Sequence, residues 1–470
     1  MSTSPLPLIQ AVDVSDALSG IRAIAHLPHA FTLHSGLLDD RSRWTFFGAD
    51  PFAVYRGDDL DGAFARYREL ATRVRREDRP AGVVPFSGGA VGYWSYDFGR
   101  RFEQLPSIAR DDLGLPDFVI AFYDVIGVHD HVSRSTWLFS SGLPFDDERR
   151  AVHARERLEQ FQDLLWKSAR RAPRRPAPCP RIARSTFAPD DFRRAVVTIK
   201  DHIASGDIFQ ANLSQRWTVP LEAGEPGFAL DLFQALVDRS PAPFSAYLDC
   251  GDHTVVSGSP ERFLELRGRR IETRPIKGTR PRSADPVQDR RLREELLKSP
   301  KDRAENVMIV DVLRNDLGRV CETGSVETRA LCELETFPQV FHLTSTVTGT
   351  LRRDYDAFDL LKASFPGGSI TGAPKIRAME ILDALEPVRR HVYTGAIGYL
   401  DWSGSADWNI AIRTALVTPD AVHFAAGGGI TIDSDPDEEL AETLHKAEGM
   451  RLALSEVLAP VELPSGAVHA

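Results

Sequence analysis

Apolar positions recur along this chain in two rhythms, one helical and one of strands, and the two interleave from end to end. Phe192, Val196, Ile199 and Ile203 stand at i, i+4, i+7 and i+11. That spacing gathers them on one face of a helix starting near Pro189 and stopped by Gly206. Phe64, Tyr67 and Leu70 mark a helix over residues 61–75, and Val152, Leu158, Phe161 and Leu165 mark another over residues 146–166. Ser299 and Pro300 form an N-cap and a first-turn proline for a helix running through Val310, Leu313 and Leu317 to Gly318. Residues 208–217 read as a strand. So do residues 263–266 and 269–273, a hairpin turning at Arg267 and Gly268. Pro275 removes a ladder donor, and the chain is expected to leave its sheet there. Small residues and aromatics alternate over residues 86–97, the pattern of a buried strand under a close neighbour, and residues 393–399 and 412–414 are strand-like.

Residues 170–180 break both rhythms, because four arginines and four prolines hold neither helix nor strand. A linker at 171–182 therefore divides a first region, 1–170, from a second, 183–460, and a tail follows at 461–470. The 57 basic residues are outnumbered by 67 acidic ones, so no positive field draws nucleic acid or an anionic membrane. The start of the chain holds no basic stretch leading into an apolar core, and no long apolar run occurs anywhere, which makes the cytoplasm the expected compartment. Cys179, Cys250, Cys321 and Cys332 lack CxxC spacing and read as free thiols, not as zinc ligands or a disulfide framework.

The candidate chemistry lies in five places. In Arg274-Pro275-Ile276-Lys277-Gly278-Thr279, Lys277 is the only amine of a loop that Ile276 partly dries, and Gly278 lets backbone approach a ligand. Asp302 and Glu305 share one helix face, although Asp302 also suits the third position of a capping box. Glu439, Glu442 and Lys446 share another after the loop Gly427-Gly428-Gly429, where Glu442 and Lys446 also suit an ordinary solvated pair. Should the two helices face each other, four carboxylates converge, and a hard divalent cation with oxygen ligands relieves their repulsion. The glycine-rich run over 365–375 is no nucleotide P-loop, because Ala373 and Pro374 separate Lys375 from the second glycine. Arg413 is a candidate fork for a carboxylate, and Leu33-His34-Ser35-Gly36 a strand end lining a pocket.

Taken in order, Gly88 to Asp97, Gln210 to Arg216, Ser259 to Phe263, Pro275 to Thr279, Asp302 to Arg319, Phe341-His342-Leu343, Phe365 to Lys375 and Gly427 to Lys446 carry a resemblance. They resemble the chorismate-utilising family that includes anthranilate synthase component I and aminodeoxychorismate synthase component I, over residues 30–455. The resemblance implies one composite α+β fold of two facing orthogonal β-sheets flanked by helices, in four layers α/β/β/α. It implies a Mg2+ site at Asp302, Glu305, Glu439 and Glu442 that holds the ring carboxylate of chorismate. Gly278, Thr279, Tyr393, Arg413, Gly427, Gly428, Gly429 and Lys446 are implied to bind substrate, and Glu261 and His342 fall at acid–base positions. Lys277 and the Glu305-Asn306 pair resemble the aminodeoxychorismate synthase type, in which the lysine attacks C2 of chorismate. Anthranilate synthases usually carry alanine at the first of these places and Glu-His at the second. Anthranilate synthase activity is the alternative, and a non-catalytic regulatory homologue the alternative of another class. No cysteine stands in the Gly-x-Cys-x-Gly setting of a glutamine amidotransferase, so ammonia is expected from a separate amidotransferase subunit. Leu33-His34-Ser35-Gly36 departs from the Leu-Leu-Glu-Ser feedback motif of anthranilate synthases. This argues against tryptophan inhibition while leaving Ser35 in a candidate indole pocket.

Overall fold

A computed structural model describes residues 6–14, 16–37, 42–74, 84–167, 180–222, 227–337 and 340–463. The helical stripes fold as their spacing predicts, as Leu60–Thr72, Asp147–Lys167, Pro189–Ala204 and Pro300–Gly318. Val152 is an exception at 53% exposed; the face that the 147–167 helix buries is that of Ala154, Leu158 and Phe161. The Ser299 hydroxyl accepts from Asp302 N–H at 3.2 Å, the expected cap of the 300–318 helix.

Two large antiparallel sheets dominate. In one, twelve strands include, as successive neighbours, Trp44–Gly48, Phe31–His34, Phe244–Asp249, Thr254–Ser259, Thr414–Val417, Ala421–Ile430 and Gln210–Pro220. In the other, ten strands run from Ile276–Pro281 and Val340–Thr350 through Arg270–Arg274, Arg262–Arg267, Ala406–Ile410 and Ala396–Asp401 to Gly89–Trp94, Phe118–Tyr123 and Ala53–Arg56. The sheets face each other across Phe31, Phe46, Val128 and Val255 of the first and Tyr93, Val119, Ile397 and Tyr399 of the second. Phe161, Phe233, Leu454 and Val457 cover the outer face of the first sheet from three helices, and Tyr67, Val310 and Leu361 cover the second from three others. These are the four layers α/β/β/α of an α+β fold.

The linker does not separate two bodies. Each sheet joins a block of strands from before it to a block from after it, at Phe31–His34 with Phe244–Asp249 and at Gly89–Trp94 with Ala396–Asp401, and Arg181–Ile182 at its end pairs in parallel with Val461–Glu462, which starts the expected tail. The rest of the linker to residue 179, Cys179 included, and residues 464–470 lie outside the described residues. Cys250, Cys321 and Cys332 are buried free thiols. No helix among the described residues is long and apolar enough to cross a membrane.

Pro275 does not end the ladder. Ser345 N–H donates to its carbonyl at 3.2 Å, and pairing resumes at once with Ile276 opposite Thr344. Residues 270–281 thus form one long strand against 340–350, in which the proline removes a single donor. Gly427, Gly428 and Gly429, expected in a loop, lie in the strand Ala421–Ile430 opposite Ser214, Leu213 and Asn212.

Candidate functional site

The expected Lys277 loop is a β-bulge. Ile276 pairs with Thr344 and Thr279 with His342, so two residues, Lys277 and Gly278, oppose the single residue Leu343. A bulge of this kind re-aims a side chain that regular alternation would send elsewhere. Gly278 permits it with φ +87, and a Cβ there would stand 2.9 Å from both Asp302 Cβ and Leu296 Cδ1, so only glycine fits against the 300–318 helix.

Around Lys277 the structure collects acids and bases whose ordinary ionisation is disturbed. Desolvation draws the Lys277 pKa below the usual lysine value and the charge of Lys446 adds to this, against the opposing pull of Glu305, Glu261 and Glu442. Burial pushes Glu261 up to about 7, although a hydrogen bond from Ser369 and the charge of Lys277 favour its carboxylate. Burial and the nearby Arg413 hold His342 down at about 3, and its Nδ1 lies 2.8 Å from Thr279 Oγ1. Desolvation also lowers the Arg413 pKa. Arg413 keeps a left-handed backbone, φ +50, and shares an apolar cavity of about 450 Å³ with His342, Pro260 and Phe337. Among the described residues neither Lys277 nor Arg413 is held in a salt bridge by a carboxylate of the protein. Tyr393 is buried near Arg390 and Glu386 in the turn that leads to the strand Ala396–Asp401.

The acidic helices do meet. Burial raises Glu305 above the usual carboxylate range, opposed by Lys277 and Lys301 and reinforced by Asp302 and Glu442. Burial raises Glu439 too, with Ser434 opposing at 2.6 Å. Burial likewise pushes Glu442 up, but Lys446 at 2.6 Å, with Lys301 and Lys277, outweighs it and leaves that pKa lowered. Lys446 also donates to the Gly427 carbonyl at 2.9 Å. A Cβ on Gly428 would lie 2.9 Å from Glu439 Oε2 and 3.3 Å from Glu442 Oε1, so the bare glycine strand is what gives these carboxylates room. Glu439 Oε2 is buried with no hydrogen-bond partner among the described residues. No group of three or more His, Cys, Asp or Glu side chains among them closes into a ligand set. Nevertheless an orphaned buried carboxylate oxygen, two carboxyls with raised pKa values and an all-oxygen donor set fit a hard divalent cation. Asp302 is turned elsewhere, to Arg280 at 3.2 Å.

Ser35 does not join this cluster. It lines a separate cavity of about 530 Å³ with Leu33, Trp44, Phe46, Pro243 and Asn409. Sequence reasoning missed Gln210, which is fully buried with its Oε1 unpartnered and would collide with any Cβ on Gly429. Its place in an apolar alternation made it look like an ordinary strand residue. Ser369 was missed as well, since only the fold brings it to Glu261.

The family of chorismate binding enzymes matches residues 34–451. The chain is 45% identical to aminodeoxychorismate synthase component 1 of Klebsiella aerogenes over 89% of this chain and 92% of that one. It is 40% identical to anthranilate synthase component 1 of Thermus thermophilus over 91% and 92% respectively. Among solved structures, anthranilate synthase component I of Streptococcus pneumoniae superposes with a TM-score of 0.75 at 32% identity, covering 88% of this chain and 93% of that one. With that reach and that site, the chain belongs to the chorismate binding enzyme family.

Proposed function

We propose that this protein is an aminodeoxychorismate synthase component I, which converts chorismate and ammonia to 4-amino-4-deoxychorismate and water in the cytoplasm, toward para-aminobenzoate and folate. The observation that carries the reading is Lys277, set on a bulge beside Glu261 and His342, without a salt bridge and with its pKa drawn down. A nucleophilic amine must be neutral, and desolvation favours that form. Lys277 attacks C2 of chorismate, both ring double bonds shift and the C4 hydroxyl departs. Glu261, held at about 7, is protonated about half the time near neutral pH and gives its proton to the departing oxygen. Ammonia then bonds to C4 and the lysine amine leaves from C2, which regenerates the free side chain. The proton that ammonia sheds returns to the Glu261 carboxylate, which resets the acid, while His342 stays neutral throughout.

Arg413 supplies an unpaired guanidinium for one substrate carboxylate. Glu305, Glu439 and Glu442 would hold Mg2+, which when bound screens their mutual repulsion and anchors the second carboxylate. Ammonia comes from a separate glutamine amidotransferase subunit. In support, burial pushes the thiols of Cys250, Cys321 and Cys332 up, to about 11 for Cys321, the reverse of a glutaminase nucleophile. The aminodeoxychorismate reading is favoured over anthranilate synthase by Lys277 and by Asn306. The latter is fully buried, donates to the Leu343 carbonyl at 3.2 Å and so braces the bulge from behind.

The test is chromatography of the products from chorismate, ammonium and magnesium. The expected product is non-fluorescent and becomes para-aminobenzoate only when a lyase is added. Fluorescent anthranilate appearing without a lyase would overturn the assignment.

A further inference from the structure

Behind the substrate-facing residues lies a buried ion pair that touches three of the segments carrying them. Arg390 and Glu386 are 6% and 7% exposed. Arg390 Nε and Nη2 donate to the two Glu386 carboxylate oxygens at 2.7 and 2.6 Å. The other donors of the guanidinium reach outward: Nη1 to the Ile370 carbonyl at 3.0 Å and to Thr394 Oγ1 at 3.4 Å, and Nη2 to the Asn212 carbonyl at 2.5 Å. The guanidinium also lies over the Tyr96 ring, 4.6 Å from its centroid. Glu386 in turn accepts from both the amide and the hydroxyl of Ser214, at 2.9 and 2.8 Å.

Each of these contacts ends one step from a residue of the site. Ile370 follows Ser369, the hydrogen-bond donor to Glu261. Thr394 follows Tyr393, and its own amide bonds the Ala411 carbonyl at 2.8 Å, two residues before Arg413. Asn212 and Ser214 pair directly with Gly429 and Gly427, the strand that leaves room for Glu439 and Glu442. All five guanidinium N–H groups have an acceptor in this arrangement, which a lysine ammonium, with three donors and no planar fork, cannot reproduce.

We infer that the Arg390–Glu386 pair is a positioning unit for the chorismate site, fixing the Ser369 segment, the Tyr393–Thr394 turn and the glycine strand relative to one another. The inference rests on the proposed function. Neither residue touches the reacting atoms. Their effect passes through Ser369 to the acid Glu261 and through the 212–214 backbone to the carboxylate-bearing side of the site. Misplacing a site by about an ångström loses on the order of 10²-fold in rate.

The experiment compares Arg390→Lys, Glu386→Gln and Ser369→Ala with the full-length wild type. Thermal unfolding, chorismate affinity by intrinsic fluorescence, and the pH dependence of kcat/KM with ammonium are measured for each. Arg390→Lys and Glu386→Gln are expected to weaken chorismate binding about tenfold and to lower kcat/KM on the order of 10²-fold. Because Ser369 favours the Glu261 carboxylate, losing its alignment should move the pH limb near 7 upward, and Ser369→Ala should move it the same way. A pair that merely stabilises the fold would lower the melting temperature while leaving affinity and pH limb at wild-type values in the folded fraction, and that result overturns the inference. If Arg390→Lys does not fold, Glu386→Gln and Ser369→Ala decide on the same readouts. A wild type that binds chorismate yet makes no aminodeoxychorismate refutes the proposed function instead, and chorismate affinity then still judges the pair.

Discussion

Glu261 and Arg262 are neighbours in the chain and belong to opposite kinds of charge cluster. On the Arg262 side every charge is matched. Its Nε and Nη2 bond the two oxygens of Asp407 at 3.1 and 3.0 Å, and its Nη1 reaches Glu272 at 3.3 Å. Arg267 adds Glu265 at 3.1 Å and the Tyr399 hydroxyl at 2.9 Å. On the Glu261 side little is matched: Lys277 and Arg413 have no salt bridge and one Glu439 oxygen has no partner. Burying a charge is unfavourable by several kcal/mol unless pairing offsets it. The first cluster supplies its own compensation and acts as structure. The second withholds it, which is sensible only where a ligand completes the set. Disturbed ionisation combined with missing partners, more than burial alone, separates a site from a strut.

The comparison fails if the two clusters respond alike to substitution. Lys277→Ala is expected to lose amination on the order of 10³-fold, about 4 kcal/mol of barrier, while unfolding no earlier than wild type. Rapid-quench kinetics and calorimetry on the same sample check both halves. Mass spectrometry of the peptide carrying Lys277, after chorismate without ammonia, should reveal the covalent adduct and should show none in the variant. Arg262→Ala should do the reverse and lose about 3–5 kcal/mol of stability by leaving Asp407 buried with only the distant Arg267, at 4.0 Å, to offset it, as denaturant titration would measure.

Acid and base titration sharpens the contrast within the site. Glu261 is raised from its usual value to about 7, so the folded state holds a proton that the unfolded state has released, and stability falls as pH rises from about 4.5 to 7. His342 is lowered to about 3, so the unfolded state takes up the proton first and stability falls as pH drops below about 6.5. Each effect amounts to a few kcal/mol, and Glu261→Gln and His342→Gln should each flatten only their own limb. The smallest expected effect is on the stability of Glu439→Gln. Burial already disfavours its charged form, so neutralising it should leave unfolding without metal within about 1 kcal/mol of wild type. Activity in magnesium should nevertheless collapse, and a variant that stays active would remove Glu439 from the cation site.

Local signals in the sequence were enough for the helices. Phe192 through Ile203 needs only periodicity, and Ser299 caps Pro300–Gly318 by a rule confined to four residues. Motif by motif, the resemblance also reached the residues that now gather around Lys277. What escaped was set by distant partners. Pro275 looks terminal until the 340–350 strand is there to continue the ladder on its far side. Gly427 to Gly429 look like a loop because glycine is poor in strands. The reasons for them are the Leu213 carbonyl, the Glu439 and Glu442 carboxylates and the Gln210 amide, which a Cβ would strike in turn. The Glu386–Ser214 bond spans 172 residues, and no reading of neighbours finds it. Ser299 was legible as the helix cap over the Asp302 amide, but the Asp302 side chain turns to Arg280.

The joining of early to late strands in both sheets bears on how the protein is made. The strand Phe31–His34 waits for Phe244–Asp249, and Gly89–Trp94 waits for Ala396–Asp401. On a ribosome adding roughly 5–20 residues per second, the second of these edges stays open for tens of seconds. During that interval it exposes Tyr93 and Trp94, beside unsatisfied backbone donors and acceptors, to every other nascent chain nearby. The same feature that lets early and late strands build each sheet together thus makes synthesis the hazardous moment in this enzyme's life. Slow translation before residue 396 should favour aggregates, whereas chaperones that shield open sheet edges should favour yield.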